Sequence, residues 1–336
     1  MIINVNLADR GYDIIVERGA LNRIGELLKL DRRVLIVTDD GVPSEYAERV
    51  ALASKSPTVI TLPMGESTKS LSNFEKLCRA MLNGGFTRGD AVVAVGGGVI
   101  GDLSGFAAAS YMRGIDFYNV PTTLLSEVDS SIGGKVAVNL DNVKNIVGAF
   151  YQPKRVVIDP DVLKTLAPRH IANAFAEAIK MGLTSDRKLF EIFEKGDPYS
   201  NIDEIITRSL LVKKSVVEAD ERESGVRKIL NFGHTVGHGI ESEGELQGLL
   251  HGECVGLGML SMCGDEVKKR LLTALKNAGL PTSAELDADR VIAAMEHDKK
   301  VSSDGNITVT VVKEVGKYEL TDIPLWELKE KIGENL

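Results

Sequence analysis

The residues of this chain best suited to chemistry lie in one short segment, whose sequence from 231 to 241 is NFGHTVGHGIE. His234 and His238 lie four positions apart in it, and Arg227 and Asn231 precede them at spacings of four and three. All four side chains would therefore share one face of a continuous helix. A helix face exposed to solvent does not require this combination of guanidinium, amide and imidazole groups. We therefore predict that this stripe of four side chains forms the floor of a polar cavity.

Two glycines and a third histidine extend this prediction. Gly233 and Gly237 leave room for another backbone to approach the stripe, and His251 follows thirteen residues after His238. Two histidines at i and i+4 can bind one metal ion, so the spacing alone favours His234 and His238 as joint ligands. Histidines satisfied within an apolar core are the alternative interpretation.

Glu177 and Lys180 lie three positions apart in the mostly apolar sequence FAEAIKM, from 175 to 181. An exposed ion pair is the ordinary interpretation of this spacing on a helix. The apolar neighbours instead indicate burial, and a buried carboxylate needs a cation. Because zinc bound by two histidines and a carboxylate is a known catalytic arrangement, Glu177 is a candidate ligand together with the histidines.

A glycine-rich turn, GGGVIGD from 96 to 102, follows the strand-like run Ala91–Val95 and precedes the helix-compatible run Leu103–Tyr111. Backbone amides in such a turn can approach a pyrophosphate, and the helix N-terminus adds partial positive charge. A tight turn without a ligand is the alternative. Any one cation in apolar or glycine-rich surroundings is ordinarily a solvated surface charge, but such cations together predict a small substrate with phosphate and carboxylate groups. These cations are Arg113, Lys135, Lys144, Lys213, Lys214, Arg227, Lys299 and Lys300.

Composition limits the classes of protein. A chain of 336 residues exceeds a comfortable single core, so two domains are expected. The net charge of -8 argues against nucleic acid as the main ligand. Three scattered cysteines fit a reducing compartment rather than a disulfide framework. We find neither a signal peptide nor an apolar run long enough to span a membrane, so we expect a cytoplasmic protein.

Hydrophobic patterning divides the chain into two domains, 1–165 and 166–336. The first is expected to be an α/β, Rossmann-like doubly wound domain that binds its ligand at the carboxyl ends of the strands. Its buried strands are predicted at Arg33–Thr38, Ala91–Val95 and Val156–Ile158, with a helix at Ser72–Leu82. The second is expected to be mostly α-helical. Its predicted helices are Ile171–Leu183, Ile202–Val217, Arg227–Glu241, Cys254–Lys276 and Ala288–Met295, with a hairpin formed by Asn306–Val312 and Tyr318–Leu320.

As a set, the motifs resemble the 3-dehydroquinate synthase family of sugar phosphate cyclases. The matching strings occur in order over about residues 30 to 300. They are PMGESTK (63–69), GGGVIGDLSG (96–105), YMRG (111–114), PTTLL (121–125), VDSSIGGK (128–135), KN (144–145), GAFYQP (148–153), EAIK (177–180), DERE (220–223), LNFGHTVGHGIE (230–241) and HGE (251–253). The sequence departs from the family pattern at three positions. Glu127 stands where the family commonly has an uncharged residue, Val136 where it has Thr, and Met181 where it has Tyr.

The resemblance implies a lyase that uses NAD+ and one divalent metal, Zn2+ or Co2+. It would convert 3-deoxy-D-arabino-heptulosonate 7-phosphate, a phosphorylated keto acid, to 3-dehydroquinate and phosphate in the shikimate route to aromatic amino acids. A homodimer is implied, with no nucleic acid or membrane partner. Other sugar phosphate cyclases and metal-dependent polyol dehydrogenases of the same fold are the alternatives.

The resemblance also implies a role for each matching residue. The implied metal ligands are Glu177, His234 and His251. This set replaces the i, i+4 pair of His234 and His238, and it makes His238 a substrate contact instead. The implied substrate pocket comprises Arg113, Asp129, Lys135, Asn145, Lys180, Lys213, Arg227, Asn231, His238 and Lys299, with Lys300 as the alternative to Lys299. Arg113 would contact phosphate in a neighbouring subunit. The implied NAD contacts are Asp39, Glu66, Lys69, Gly97, Gly98, Asp102, Thr122, Thr123 and Lys144.

Overall fold

The computed structural model describes residues 1–141, 143–244, 248–296 and 306–333. The chain forms two compact units, Met1–Leu166 and Ala167–Leu336. Lys299 and Lys300, the two candidates for a substrate lysine, lie outside the described residues. Among the residues that are described, no helix is both long enough and apolar enough to cross a membrane.

The first unit contains a seven-stranded sheet, counted over its described residues, in the order β1-β2-β9-β6-β5-β3-β4. All neighbouring strands pair in parallel except β1 and β2, which are antiparallel. A separate antiparallel pair is formed by β7 and β8. The strands are β1 (Ile2–Val5), β2 (Tyr12–Val16), β3 (Arg33–Asp39), β4 (Ser56–Leu62), β5 (Ala91–Gly96), β6 (Asp116–Pro121), β7 (Lys135–Leu140), β8 (Val143–Phe150) and β9 (Arg155–Ile158).

The sheet of the first unit is covered on both faces. Successive residues of β3 and β5 point to opposite faces, and they join two different apolar clusters: Ile36 and Val93 belong to one, and Leu35 and Val92 to the other. This two-sided burial explains the continuous apolar runs that predicted parallel strands. The helices of the unit are α1 (Ile24–Leu27), α2 (Ser44–Leu52), α3 (Leu71–Asn83) and α4 (Gly98–Ser110). The α/β, doubly wound fold expected from the sequence is therefore confirmed.

The second unit is mostly helical, as expected. Its helices are α5 (Pro168–Thr184), α6 (Arg187–Glu194), α7 (Ile202–Ala219), α8 (His234–Gly244), α9 (His251–Leu260), α10 (Asp265–Asn277), α11 (Ala288–Glu296) and α12 (Leu325–Gly333). The predicted hairpin is present as β10 (Asn306–Glu314) and β11 (Lys317–Pro324), which pair antiparallel.

Two predicted helices are each interrupted. The segment Arg227–Glu241 is not one helix: a 3-10 helix, Val226–Asn231, ends before Gly233, where φ is +76°, and α8 then begins. The prediction that four side chains share one helix face is therefore wrong for Arg227 and Asn231. The segment Cys254–Lys276 is likewise divided into α9 and α10.

Candidate metal and active site

Three donors from three helices of the second unit converge on one point. Glu177 Oε1 lies 3.2 Å from His234 Nε2 and 3.6 Å from His251 Nε2. One donor atom from each residue lies within 4.8 Å of the other two. Two imidazole nitrogens and one carboxylate oxygen are donors that Zn2+ and Co2+ accept, and three protein ligands leave a position for substrate. The residues present therefore fit a catalytic divalent metal.

Close helix packing brings these donors together. Helix α8 lies against α9, and a Cβ atom at Gly237 would lie 3.1 Å from the Cα atom of Val255. At Gly233 a Cβ atom would lie 2.8 Å from the Val255 carbonyl oxygen. The expectation that both glycines admit another backbone is confirmed, and the backbone they admit is that of α9. His234 and His251 consequently face each other, with ring centroids 5.3 Å apart.

Helix α9 is also fixed to α5, which carries Glu177. The backbone N–H of Gly252 donates to Asn173 Oδ1 at 2.7 Å, and Arg169 donates to both carboxylate oxygens of Glu253 at 2.8 Å. Asn173 and Arg169 precede Glu177 by one and two helical turns. These contacts set the separation between the carboxylate donor and the imidazole of His251.

The charges at the donors follow from their surroundings. Burial of Glu177 opposes its ionisation, but Lys180 and His234 outweigh burial and hold the pKa of Glu177 well below its usual range. Burial and the Lys180 ammonium lower the pKa of His234. Burial also lowers the pKa of His251, but hydrogen bonds to Glu177 and Glu241 outweigh burial and raise this pKa to about 9. Metal binding at His251 must therefore displace a proton.

The Glu177–Lys180 pair is buried, with side chains 1% and 2% exposed, so the surface ion pair is not the correct interpretation. Two further cations expected to contact substrate, Lys213 and Arg227, are 5% and 2% exposed. Arg227 lies on the 3-10 helix, and its Nη1 donates to the Glu221 carbonyl. Burial of these cations keeps their charges poorly screened by water.

The turn that holds Arg227 is closed by one carboxylate. Asp220 accepts backbone N–H groups from Ser224 at 3.0 Å, Gly225 at 2.6 Å and Arg227 at 3.1 Å. Burial opposes the charge, but these donors lower the pKa of Asp220 to about 2. Near this turn, Asn231 Nδ2 donates to Glu223 Oε1 at 3.0 Å. The turn thus positions both residues that the sequence had placed on one helix.

His238 does not belong to the Glu177 donor group. It is exposed, and its ring stands at 88° to that of His234 with the centroids 5.5 Å apart. It is grouped instead with Glu241 and His251, in a second set of donors within 4.8 Å of one another. The i, i+4 chelation suggested by spacing alone is not the arrangement found around Glu177.

The glycine turn of the first unit presents a helix N-terminus. Helix α4 begins at Gly98 directly after β5, five residues earlier than predicted. A Cβ atom at Gly98 would lie 2.9 Å from Ser130 Oγ, and one at Gly97 would lie 3.1 Å from Thr123 Cγ2. A side chain at either position would crowd Ser130 or Thr123, whereas glycine leaves the backbone amides open to a ligand. This arrangement fits the pyrophosphate of NAD+.

Several predicted NAD contacts surround the start of α4. Lys69 Nζ donates to Asp102 Oδ2 at 2.5 Å, and the Thr122 N–H donates to the Gly96 carbonyl at 3.0 Å. Asp39 ends β3 and accepts the Gly41 N–H at 2.9 Å. Burial raises the pKa of Asp39.

The other predicted residues of this unit lie on β7, β8 and three short helical turns. Asn139 Nδ2 donates to Glu66 Oε1, and Asn139 Oδ1 accepts the Asn145 N–H, each at 2.8 Å. Asp102 and Lys135 line the same small cavity. The remaining three lie at exposed or partly exposed positions: Asp129 on a π-helical turn, Lys144 on β8, and Arg113 at a φ of +68°.

Sequence reasoning missed three residues that organise these sites: Asn139, Asn173 and Glu241. Asn173 precedes Glu177 by four positions, which places both on one face of α5. Glu241 follows His238 by three, which is also a same-face spacing. The helical spacing could have identified the last two, whereas nothing in the local sequence marks Asn139.

Comparison with known proteins identifies the class. The family model described as 3-dehydroquinate synthase N-terminal matches residues 59–173, and the model described as 3-dehydroquinate synthase C-terminal matches residues 174–301. The 3-dehydroquinate synthase of Streptococcus thermophilus (strain CNRZ 1066) is 40% identical over 352 aligned positions, covering 98% of this chain and 99% of the relative. These matches place the chain among the sugar phosphate cyclases. The chain belongs to the 3-dehydroquinate synthase family.

Two of the similar solved structures match over the whole or nearly the whole length. A 2-deoxy-scyllo-inosose synthase in complex with carbaglucose-6-phosphate, NAD+ and Co2+ is 27% identical, with a TM-score of 0.92 and 100% of each chain covered. The 2-epi-5-epi-valiolone synthase of Streptomyces hygroscopicus subsp. jinggangensis 5008, with NAD+ and Zn2+ bound, is 27% identical, with a TM-score of 0.87 and 98% of each chain covered.

Proposed function

We propose that this protein is a 3-dehydroquinate synthase, which converts 3-deoxy-D-arabino-heptulosonate 7-phosphate to 3-dehydroquinate and phosphate. The observation that carries the proposal is the 40% identity to a 3-dehydroquinate synthase over nearly the full chain. The convergence of Glu177, His234 and His251 supports it independently of identity. A cytoplasmic homodimer that binds neither nucleic acid nor membrane belongs to the same proposal.

Separate sets of residues would bind the metal ion and the NAD+ that the reaction needs. Glu177, His234 and His251 would hold Zn2+ or Co2+, and the turn at Gly97 and Gly98 would hold the pyrophosphate of NAD+. When bound, the two groups supply Lewis-acid polarisation of a substrate hydroxyl and reversible acceptance of its hydride. Oxidation of that hydroxyl to a ketone would acidify the neighbouring C–H bond, so that phosphate could leave and itself accept the proton. Return of the hydride to the substrate, ring opening and intramolecular aldol closure would follow.

The chain's own side chains orient the substrate. Arg227 and Asn231 bind the carboxylate, because a guanidinium makes paired charge-assisted hydrogen bonds to it. Lys180 and Lys213 are buried cations that would bind substrate oxygens, and His238 would contact the substrate. Asp129, Lys135 and Asn145 are further substrate contacts in this proposal, together with Arg113 from a neighbouring subunit and Lys299 or Lys300.

Asp39, Glu66, Lys69, Asp102, Thr122, Thr123 and Lys144 are proposed to complete the NAD site. Lys69 and Asp102 neutralise each other close to the glycine turn. An ion pair there adds little net charge to the pyrophosphate site, so the helix N-terminus of α4 supplies the favourable potential.

The stoichiometry of NAD tests the proposal. With NAD+ limiting and the heptulosonate phosphate in excess, released phosphate should exceed total NAD many-fold without accumulation of free NADH, since the hydride returns to the substrate. Sedoheptulose 7-phosphate and glucose 6-phosphate serve as controls. NADH that rises in step with product would instead identify a dehydrogenase. Phosphate release from a control sugar, but not from the heptulosonate phosphate, would identify another cyclase.

A further inference from the structure

Glu241 lies beside the donor group without belonging to it. On α8 it follows His234 by seven positions and His238 by three, so it faces the same side of the helix. Its Oε2 atom lies 3.0 Å from His251 Nδ1, and its side chain is 19% exposed. A carboxylate of low exposure therefore contacts the ring nitrogen of His251 that faces away from Glu177.

The two nitrogens of His251 have different neighbours. Nε2 lies 3.6 Å from Glu177 Oε1 and points into the donor group, whereas Nδ1 points to Glu241. A neutral imidazole that offers a lone pair at Nε2 carries its proton on Nδ1. A carboxylate is the acceptor that favours this tautomer and fixes the plane of the ring.

We propose that Glu241 is a positioning residue for the metal, holding His251 in the Nδ1-protonated tautomer with Nε2 directed at the ion. The inference rests on the metal dependence in the proposed function. Glu241 and His234 lie on the same helix, so α8 supplies one ligand directly and controls another, on α9, through a hydrogen bond.

A second arrangement of these residues is chemically less favourable. His238, Glu241 and His251 also lie close enough to bind an ion of their own. That ion would need a lone pair on His251 Nδ1. If the Glu177 group were occupied at the same time, both ring nitrogens would be ligands, and the ring would have to be an imidazolate. One metal with Glu241 as hydrogen-bond acceptor needs only an ordinary neutral imidazole.

Equilibrium Co2+ binding to the metal-stripped full-length protein tests the role of Glu241, with the visible Co2+ spectrum as the signal. Glu241→Ala should weaken Co2+ binding by about 10–100-fold. Glu241→Gln should lose less, because the amide oxygen still accepts from Nδ1. Glu266→Gln, an exposed carboxylate on α10 that pairs with Lys269, is the matched control and should bind Co2+ like the wild type.

Each other outcome is informative. A folded Glu241→Ala variant with wild-type affinity would overturn the positioning role and leave the proposed function intact. Two Co2+ ions per wild-type chain and one per Glu241→Ala chain would make Glu241 a ligand and refute the proposal. If the wild-type protein bound no Co2+, both the inference and the metal dependence in the proposed function would fail.

Discussion

Glu177 contacts three side chains at once. Its carboxylate contacts the Lys180 ammonium through one oxygen and faces two imidazoles through the other. A carboxylate buried to this extent is costly unless cations surround it. A glutamate at position 177 is therefore consistent with a site that holds a cation, as the apolar residues around it predicted.

The roles of two histidines can be separated by metal content. His251→Ala should lower metal affinity by more than about 100-fold, since loss of a direct ligand exceeds the loss of an outer hydrogen bond. His238→Ala should keep its metal and lose turnover. Metal analysis of both purified variants measures the difference. Equal metal loss in the two would restore the i, i+4 pair as ligands.

The types of the functional residues could be predicted from sequence, but their grouping could not. Two histidines and a glutamate were recognised as candidate ligands from spacing and apolar context. Which histidine joins Glu177 depends on the packing of α5, α8 and α9. The sequence indicates that another backbone approaches Gly233 and Gly237, but not that it belongs to the helix of His251. Family resemblance supplied His251, and the structure places it beside Glu177.

At the scale of elements, the contact between α9 and α5 should be the most sensitive to substitution. A Cβ atom at Gly252 would lie 1.9 Å from the carbonyl oxygen of Asn173, which is backbone and cannot rotate away. Gly252→Ala should therefore cost about 1–3 kcal/mol of unfolding free energy and also weaken metal binding, because His251 is adjacent.

Gly256→Ala is the matched control on the same helix. Its Cβ atom would lie 3.1 Å from Leu275 Cδ2, the end of a flexible side chain. Chemical denaturation of the two variants compares them, and the smaller loss is expected at Gly256. Similar losses at both positions would mean that the Asn173 contact does not control the packing of α9.

The helix boundaries that sequence missed have tertiary causes. The interruption after α9 allows the Val312 N–H to donate to the Met262 carbonyl and the Gly264 N–H to donate to the Val312 carbonyl, each at 3.0 Å. A strand about fifty residues away thus ends the helix. Helix α4, conversely, begins at Gly98 despite the weak helix propensity of glycine, because the residues that follow from Ile100 are largely buried.

At the scale of the whole molecule, removal of the metal should lower stability. An ion that binds only the folded chain stabilises it by about 2.7 kcal/mol at a concentration 100 times its Kd. Thermal unfolding of EDTA-treated protein should shift to higher temperature when Co2+ or Zn2+ is added. Mg2+, which prefers oxygen ligands, should give no comparable shift. An equal response to Mg2+ would argue against an imidazole-containing site.

The division into two domains could be predicted from the sequence because apolar residues are spaced differently in the two parts of the chain. Continuous β-branched runs indicated buried strands in the first unit, and helical periodicity indicated the second. The exact boundary is set by chain contacts rather than by composition, and it falls after Leu166, one residue beyond the predicted position.

The backbone contact between α8 and α9 has a consequence for protein engineering. With glycines at 233, 237 and 258 in this contact, the spacing of the two helices is set by main-chain atoms rather than by interchangeable side chains. Conventional core redesign has no adjustable volume there. A change in metal selectivity would have to be introduced at the ligands themselves or at the carboxylate behind them, with the helix pair retained as an invariant scaffold.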